Sequence, residues 1–306
     1  MQEFIAILVA TVLAATPLLL AASGELVTEK AGVLNLGVEG MMLVGAVTGF
    51  AVTDLTGSDT LGILAAAIAG MAVAALFGVL TLLLLANQVA TGLALTIFGI
   101  GLSALVGKNF VGHALDRLPQ LHIPGLSDIP VIGPVVFGED ALVYLSILLA
   151  VAVHLFLNRS RAGLILRAVG ENHDAAHALG YPVVGIRFLA VLFGGAMSGL
   201  GGAYLSLAYT PLWAEGMTAG RGWIALALVV FATWRSLRVL IGAYLFGFFT
   251  IAQLHAQALG IAIPSEFLAM LPYVATIVVL VLISRDATRI RLNAPASLGR
   301  VFHPGS

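Results

Sequence analysis

Apolar runs and short polar breaks alternate along almost the whole chain. One helix needs about 20 apolar residues to cross the hydrocarbon core of a bilayer, which is about 30 Å thick. Because backbone polar groups in lipid must be satisfied within the segment, a helix is the expected form of each run. The runs that predict membrane spans are 4–22, 31–53, 61–85, 89–108, 141–157, 184–207, 222–234, 239–257 and 267–284.

Two parts of this pattern leave alternatives open. The run 222–234 is short, so it forms a half-helix or continues into its neighbours, and residues 23–45 either dip into the membrane or cross it. We predict an all-α polytopic membrane protein with about 8–10 transmembrane helices, some of them broken or half-length. The prediction is a single transmembrane domain over 1–306, with an irregular, Pro-rich outward loop at about 109–140 and a flexible cytoplasmic tail at about 285–306.

Composition supports the membrane class and excludes several others. Of 306 residues, 60% are hydrophobic and 9% are charged, whereas soluble domains carry about 25% charged residues; the mean hydropathy is +1.07. A net charge of -1 offers no basic surface for a nucleic acid polymer. The absence of cysteine excludes disulfides and thiolate metal sites, and the seven histidines show no metal-binding spacing, so we expect no metal site.

Basic residues are unevenly distributed over the predicted loops, and this orients the chain. Cytoplasmic loops of membrane proteins carry an excess of Lys and Arg. Only Lys108, Arg117 and Arg221 fall on the outer side. The C-terminus is therefore predicted in the cytoplasm and, with nine spans, the N-terminus outside. The basic residues assigned to the cytoplasm are Arg159, Arg161, Arg167, Arg187, Arg235, Arg238, Arg285, Arg289, Arg291 and Arg300.

A polar, charged stretch between two apolar runs lies at the centre of this arrangement. It begins at Asn158 and must lie outside the hydrocarbon, because each charge costs several kcal/mol at the bilayer centre. Gly180 and Pro182 end it, since glycine is a common helix stop and proline prevents continuation. We predict a short helix over about 168–180 that is docked on the cytoplasmic face and available to a partner.

Four segments carry a family resemblance that covers nearly the whole chain. LRAVGEN at 166–172 and GGAMSGLGGA at 194–203 resemble the cytoplasmic coupling segment and following helix of ABC-transporter permeases that import ribose-type sugars, branched-chain amino acids and nucleosides. EKAGVLNLGVEGMML at 29–43 and AGRGWIALA at 219–227 resemble the nucleoside branch, which works with a basic membrane lipoprotein. The segments occur in the family's order, so the chain is identified as a member of it.

The resemblance implies a transport subunit with several partners. These are a separate ABC ATPase subunit, a second permease that is homologous or identical, an extracytoplasmic solute-binding lipoprotein, and a small polar solute that moves by alternating access. The location that the resemblance implies is the bacterial cytoplasmic (inner) membrane.

The polar stretch at about 168–180 has two interpretations, a coupling helix or an ordinary amphipathic loop helix. The residues to which the resemblance assigns coupling to the ATPase are Arg167, Gly170, Glu171, Asn172, Ala175, Ala176 and Gly180.

Polar residues within the apolar runs are candidates for the solute path. Glu39 is the only acidic residue well inside a predicted run, and Asn35 lies four residues before it, on the same helical face. Such groups line a wet cavity, brace a broken segment, or fix packing as buried hydrogen-bonded groups. Gln88 and Thr91 have two interpretations: they face the solute path, or they form hydrogen bonds between helices.

Missing motifs limit what the chain does by itself. Its lysines are Lys30 and Lys108, and neither lies in a GxxxxGK[ST] pattern, so any ATP is bound as cofactor by a partner subunit rather than by this chain. No catalytic motif is present, so the chain is not expected to be an enzyme. The predicted function is the permease subunit of an ATP-driven nucleoside importer. The alternatives are a permease for ribose or another simple sugar, and a stand-alone secondary carrier or channel.

Overall fold

A computed structural model describes residues 2–122, 124–258 and 293–303, with isolated positions between 267 and 281. Within these ranges the chain forms helices, turns and isolated bridges, with no extended strand. This confirms the all-α prediction. The ninth predicted span, 267–284, falls almost entirely outside the described residues. The α-helices are α1 Gln2–Lys30, α2 Val38–Thr56, α3 Asp59–Gly78, α4 Gln88–Gly107, α5 Ala141–Arg159, α6 Arg161–Glu171, α7 His173–Ala178, α8 Val183–Tyr204, α9 Arg221–Phe231 and α10 Ser236–Ala258.

Seven helices in the described ranges are long and apolar enough to cross a membrane, namely α1 to α5, α8 and α10. Two of them continue into π-helical turns, α3 into Val79–Leu83 and α8 into Leu205–Tyr209. α9 has only 11 residues and is about 16 Å long. The short run 222–234 is therefore a half-helix, the first of the two alternatives.

The N-terminal third departs from the sequence prediction. α1 does not stop at residue 22 but continues to Lys30, and the next helix begins only at Val38. Residues 31–37 between them are non-helical and mostly buried. Contacts with residues that are distant in sequence stabilise the polar C-terminal end of α1. For example, the hydroxyl of Thr28 donates to the backbone oxygen of Ala190 at 3.2 Å.

The helix set has two chemically different ends. Lys30 at the end of α1, Asn158 near the end of α5 and Ser236 at the start of α10 line one cavity, so these termini meet at one end. We refer to it as the basic end. At the opposite end, Asp54 of α2 contacts His113 of the outward loop, with 3.1 Å between Oδ2 and Nδ1.

Small residues let the central helices approach closely. A Cβ placed on Gly202 of α8 would come within 1.9 Å of the Met42 carbonyl oxygen in α2. One on Gly45 of α2 would come within 2.5 Å of the Gly199 Cα. Such contacts stabilise helix pairs in membranes by van der Waals packing. These glycines therefore let α2 and α8 pack backbone to backbone in the core.

Two adjacent acidic residues end the outward loop. One Asp140 carboxylate oxygen accepts from the backbone N–H groups of Leu142 and Val143, at 2.9 and 3.1 Å, and thereby caps α5. The neighbouring Glu139 is buried, and neither of its carboxylate oxygens has a partner among the described residues. Burial and the adjacent Asp140 raise the pKa of Glu139 from 4.5 to about 7.

Glu139 should make the stability of the protein pH-dependent. Between pH 4.5 and about 7 the carboxyl stays protonated in the folded state but ionises in the unfolded state, so stability should fall as pH rises through this window and level off above it. Glu139→Gln should remove that fall and be more stable than wild type at pH 8. Thermal unfolding of detergent-purified protein from pH 4 to 9 checks this. Asp116→Asn, an exposed acid in the same loop, is the control, and parallel wild-type and Glu139→Gln profiles would contradict the assignment.

The C-terminal tail differs from the expected flexible segment. Residues 293–303, which we refer to as the strap, pack against the basic end. The Ser297 backbone N–H and hydroxyl both donate to the Gly170 carbonyl oxygen, at 3.0 and 2.6 Å. The Phe302 ring is buried against Val169 and Val183. The flexible-tail expectation is therefore wrong for this part, because a buried aromatic side chain and paired backbone groups hold it; the rest of the tail lies outside the described residues.

Phe302→Ala should destabilise the protein by about 3 kcal/mol, the usual cost of removing a buried aromatic ring. The ring is 6% exposed and also contacts the edges of His173 and His177 in α7. Phe302→Leu retains most of the apolar volume and should lose less than half as much. Thermal and chemical unfolding in detergent measure both variants. Equal stability of Phe302→Ala and wild type would show that the Phe302 ring contributes nothing to the stability of the protein.

Candidate coupling surface and broken-helix junction

The polar stretch forms two helices rather than the single helix predicted over 168–180. α6 ends at Glu171, and Asn172 takes an extended conformation with φ -149° and ψ 98°. Its side-chain oxygen accepts from the Ala175 backbone N–H at 3.0 Å, so Asn172 caps α7. The prediction failed here because an asparagine cap competes locally with helix continuation.

One side of the α6–α7 pair is exposed at the basic end. Leu179 has 77% of its surface exposed although it is a large apolar residue, and sequence reasoning had not selected it. Gly180 follows in a left-handed conformation with φ +87° and ends the segment. We define the coupling surface as Glu171, Asn172, Ala175, Ala178 and Leu179, all of which are exposed.

Three residues predicted for coupling point inward instead. A Cβ on Gly170 would come within 2.0 Å of the Lys30 carbonyl oxygen, so Gly170 lets α6 pack on the end of α1. Ala176 is 3% exposed and packs with Phe302. Arg167 is half-buried and lines a cavity at the basic end. Of the two alanines predicted for coupling, Ala176 thus faces Phe302 and Ala175 is exposed, because successive residues of a helix are rotated by about 100°.

A buried arginine connects α7 to the rest of the protein. Arg187 of α8 is 1% exposed. Its guanidinium donates to the carbonyl oxygens of Ala31 and Arg300, to the Ser297 hydroxyl and to His173 Nδ1, at 3.0 to 3.2 Å. Burial and the Arg187 charge lower the pKa of His173, which favours the neutral ring that accepts this bond. Sequence reasoning counted Arg187 only as a charge that orients the chain.

Glu39 holds the N-terminus of the half-helix α9. Its Oε1 accepts from the Thr218 hydroxyl at 2.6 Å and the Gly220 N–H at 2.9 Å, and its Oε2 accepts from the Gly222 N–H at 2.6 Å. A carboxylate is favoured at this position by the unpaired N–H groups and the dipole of a helix N-terminus. Of the alternatives, the geometry supports bracing of a broken segment.

The other path candidates surround the non-helical residues 31–37. The Asn35 side-chain oxygen accepts from the Gly37 N–H at 2.9 Å, and Asn35 is fully buried. The Gln88 side-chain oxygen accepts from the Leu34 N–H at 2.8 Å. Thr91, one turn into α4, is half-exposed. Asn35 and Gln88 thus both accept hydrogen bonds from backbone N–H groups of the same segment, residues 31–37.

Two further carboxylates lie in α1, contrary to the expectation that Glu39 is alone at depth. Glu25 and Glu29 are each 1% exposed. Glu25 Oε1 accepts from the Asn35 N–H at 3.2 Å, and Glu29 accepts from the indole N–H of Trp234, just after α9. Sequence reasoning missed both because it ended the first span at residue 22. We refer to this region as the broken-helix junction. It consists of residues 31–37, the start of α2, the half-helix α9, and the acidic residues Glu25, Glu29 and Glu39.

Comparison with known proteins assigns the chain. A family profile described as "Branched-chain amino acid transport system / permease component" matches residues 7–283. The chain belongs to this permease family. A putative glucose ABC transporter permease protein of Haloferax volcanii is 44% identical over 94% of both chains.

Two further relatives are named for nucleosides. A nucleoside ABC transporter permease protein of Lactococcus lactis subsp. cremoris is 35% identical over 87% of this permease and 88% of its own length. A guanosine ABC transporter permease protein of Bacillus subtilis is 32% identical over 89% of both chains. No solved structure matches. The resemblance stated from sequence motifs is confirmed, and the protein is a multi-pass ABC importer permease subunit.

Packing contacts connect the helices of the coupling surface to the end of α1. In the part of the permease that the structure describes, no group of three or more His, Cys, Asp or Glu residues is placed to hold a metal ion. Gly170 joins α6 to the end of α1, and Arg187 joins α7 to Ala31. The helices that carry the coupling surface thus contact the segment that leads into the broken-helix junction, through Gly170 and through His173 and Arg187.

Proposed function

We propose that this permease is the membrane subunit of an ATP-driven nucleoside importer and that its coupling surface docks on a separate cytoplasmic ATPase. The observation that carries the proposal is the Arg187 cluster. It links α7, the strap and Ala31 through hydrogen bonds of 3.0 to 3.2 Å. Movement of α7 would therefore reach residues 31–37 without passing through a flexible loop.

The mechanism is alternating access. Closure of the ATPase on ATP shifts α6 and α7, and the two permeases of the assembly, homologous or identical, rock between outward-open and inward-open states. Near-complete switching needs about 5.5 kcal/mol of differential binding free energy, which ATP supplies on the partner subunit. In this proposal ATP is bound by the partner subunit, and the permease chain binds no cofactor.

Charge supports an orientation within the proposal. The basic end carries Lys30, Arg167 and Arg235, and the positive-inside bias favours a cytoplasmic position for this end of a permease proposed for the inner membrane of a bacterium. The opposite end, with the 109–140 loop, then faces the extracytoplasmic lipoprotein that delivers the solute.

Nucleosides are supported as solutes by the two relatives named for nucleoside and guanosine transport. A simple sugar is the second candidate, because the relative of 44% identity is named for glucose. Uptake of radiolabelled guanosine, adenosine, ribose and glucose into cells with and without the gene distinguishes them, with each unlabelled solute as competitor. Loss of nucleoside uptake alone supports the proposal, and loss of sugar uptake alone replaces the solute.

The ATP-driven class has its own test. Uptake should disappear when the partner ATPase is made unable to hydrolyse ATP, and the ATPase should copurify with the permease. Uptake that persists without a working ATPase would instead identify a stand-alone carrier or channel.

A further inference from the structure

A cavity of about 540 Å³ lies at the basic end, between the ends of α1 and α5, α6, and the start of α10. We refer to it as the basic pocket. Its charged lining consists of Lys30, Arg167, Arg235 and Arg238, with Ser236 and His154 beside them. Four basic side chains around one cavity repel each other, which costs free energy unless an anion or solvent offsets it.

Among the described residues, no carboxylate forms a salt bridge with these four cations. Lys30 donates to the Asn293 carbonyl oxygen and Arg238 to the Thr233 hydroxyl, each at 2.7 Å. Arg167 Nε is buried and has no hydrogen-bond partner among the described residues. In the same ranges, every salt bridge joins a histidine to an aspartate, and none involves these four cations. The nearby Glu29 already accepts from Trp234, and Glu171 is exposed at the end of α6.

The 23-residue helix α10 adds a second feature that favours an anion. Its first residues, Ser236 to Arg238, line the basic pocket. The first N–H groups of a helix have no intrahelical acceptor, and the helix dipole is positive there. In α10 the Arg238 N–H is already bonded to the Arg235 carbonyl oxygen at 3.0 Å, so the N–H groups of Ser236 and Leu237 are the ones considered for an anion. Arginines beside a helix N-terminus form a site suited to phosphate, because guanidinium and backbone N–H groups donate to several of its oxygens.

We propose that the basic pocket binds a phosphate group. Two sources share this chemistry, the headgroup of an anionic phospholipid and soluble phosphate. The position favours the lipid, since the pocket lies where α1, α5 and α10, all long enough to span a membrane, have their ends. Because Arg167 belongs to α6 and Arg235 precedes α10, a bound phosphate joins the coupling segment to the membrane helices.

Native mass spectrometry of the full-length permease tests the site. Wild-type protein is titrated with dioleoylphosphatidylglycerol, with dioleoylphosphatidylcholine and with inorganic phosphate. Arg235→Gln removes one exposed cation and should raise the Kd for phosphatidylglycerol about tenfold, the loss of one charge-assisted hydrogen bond. Arg235→Lys should remain close to wild type, and Arg159→Gln, an exposed arginine outside the pocket, should be unchanged. Lys30→Gln is a second, independent removal of charge.

Each outcome decides the proposal. Phosphatidylglycerol binding that weakens in Arg235→Gln and Lys30→Gln, and that inorganic phosphate does not displace, assigns a lipid headgroup. Saturable binding of inorganic phosphate with the same sensitivity assigns a soluble anion. Equal binding of both lipids, or binding that neither variant weakens in protein with wild-type thermal stability, overturns the site. None of these outcomes depends on the solute or on the ATPase.

Discussion

Glu39→Gln should abolish solute uptake and lower the stability of the permease by about 3 kcal/mol, within the range for breaking a buried hydrogen-bonded charge. Glutamine has the shape of glutamate, but one of its ends is an NH₂ donor. The Glu39 carboxylate accepts three hydrogen bonds. The donors are the Thr218 hydroxyl and the N–H groups of Gly220 and Gly222. Either orientation of the amide therefore places donor against donor.

Loss of this carboxylate should release the start of α9. A Cβ on Gly222 would come within 2.5 Å of Glu39 Cα, so α9 and α2 touch directly at this point and depend on the bond for their alignment. Uptake assays and thermal unfolding give the two readouts. Glu215→Gln, an exposed acid in the same linker, is the matched control. Normal uptake by a normally stable Glu39→Gln protein would show that the bond is dispensable.

Ala175→Trp and Ala176→Trp should fail in different ways, although the positions are adjacent. Ala175 is exposed on the coupling surface, so the added ring should leave thermal stability within about 0.5 kcal/mol, as for most surface substitutions. It should nevertheless reduce ATPase association and uptake at least about tenfold, since misplaced bulk at a close contact costs 1.4 kcal/mol or more. Ala176 is 3% exposed and packs with Phe302. The larger ring of Ala176→Trp should therefore separate α7 from Phe302 and lower the thermal stability.

Copurification of the ATPase, uptake, and thermal unfolding separate these effects. Leu179→Ser gives a second variant at the same surface, because Leu179 is the most exposed large apolar residue of the segment. It should weaken ATPase association without loss of stability. If Ala175→Trp and Leu179→Ser both retain full association and uptake, the coupling surface lies elsewhere.

Hydropathy alone was sufficient for the membrane class and for most helix positions. Residues that face lipid must be apolar whatever the rest of the fold does, so runs such as 141–157 and 239–257 reappear as α5 and α10. The shortness of 222–234 likewise indicated the half-helix α9. Motifs at 29–43 and 166–172 pointed to the family that the comparisons then showed.

The polar interior was beyond the reach of the sequence. A buried carboxylate depends on partners far along the chain, as Glu29 does on Trp234, 205 residues away, and Glu39 on Thr218, 179 residues away. Without those partners a local reading ends α1 at residue 22 rather than at Lys30. Burial of a polar group costs less free energy when it is hydrogen-bonded, so the Glu29–Trp234 pair favours continuation of α1 past residue 22.

Hydrophobicity and motifs are local properties of a chain, and they were enough to predict a helical membrane permease with a charged segment at one end. Long-range packing decided which side of α7 is exposed and that residues 293–303 form a strap. It also decided that Arg187 joins the strap, α7 and Ala31. Those features depend on which distant side chains meet, and periodicity and composition do not encode that.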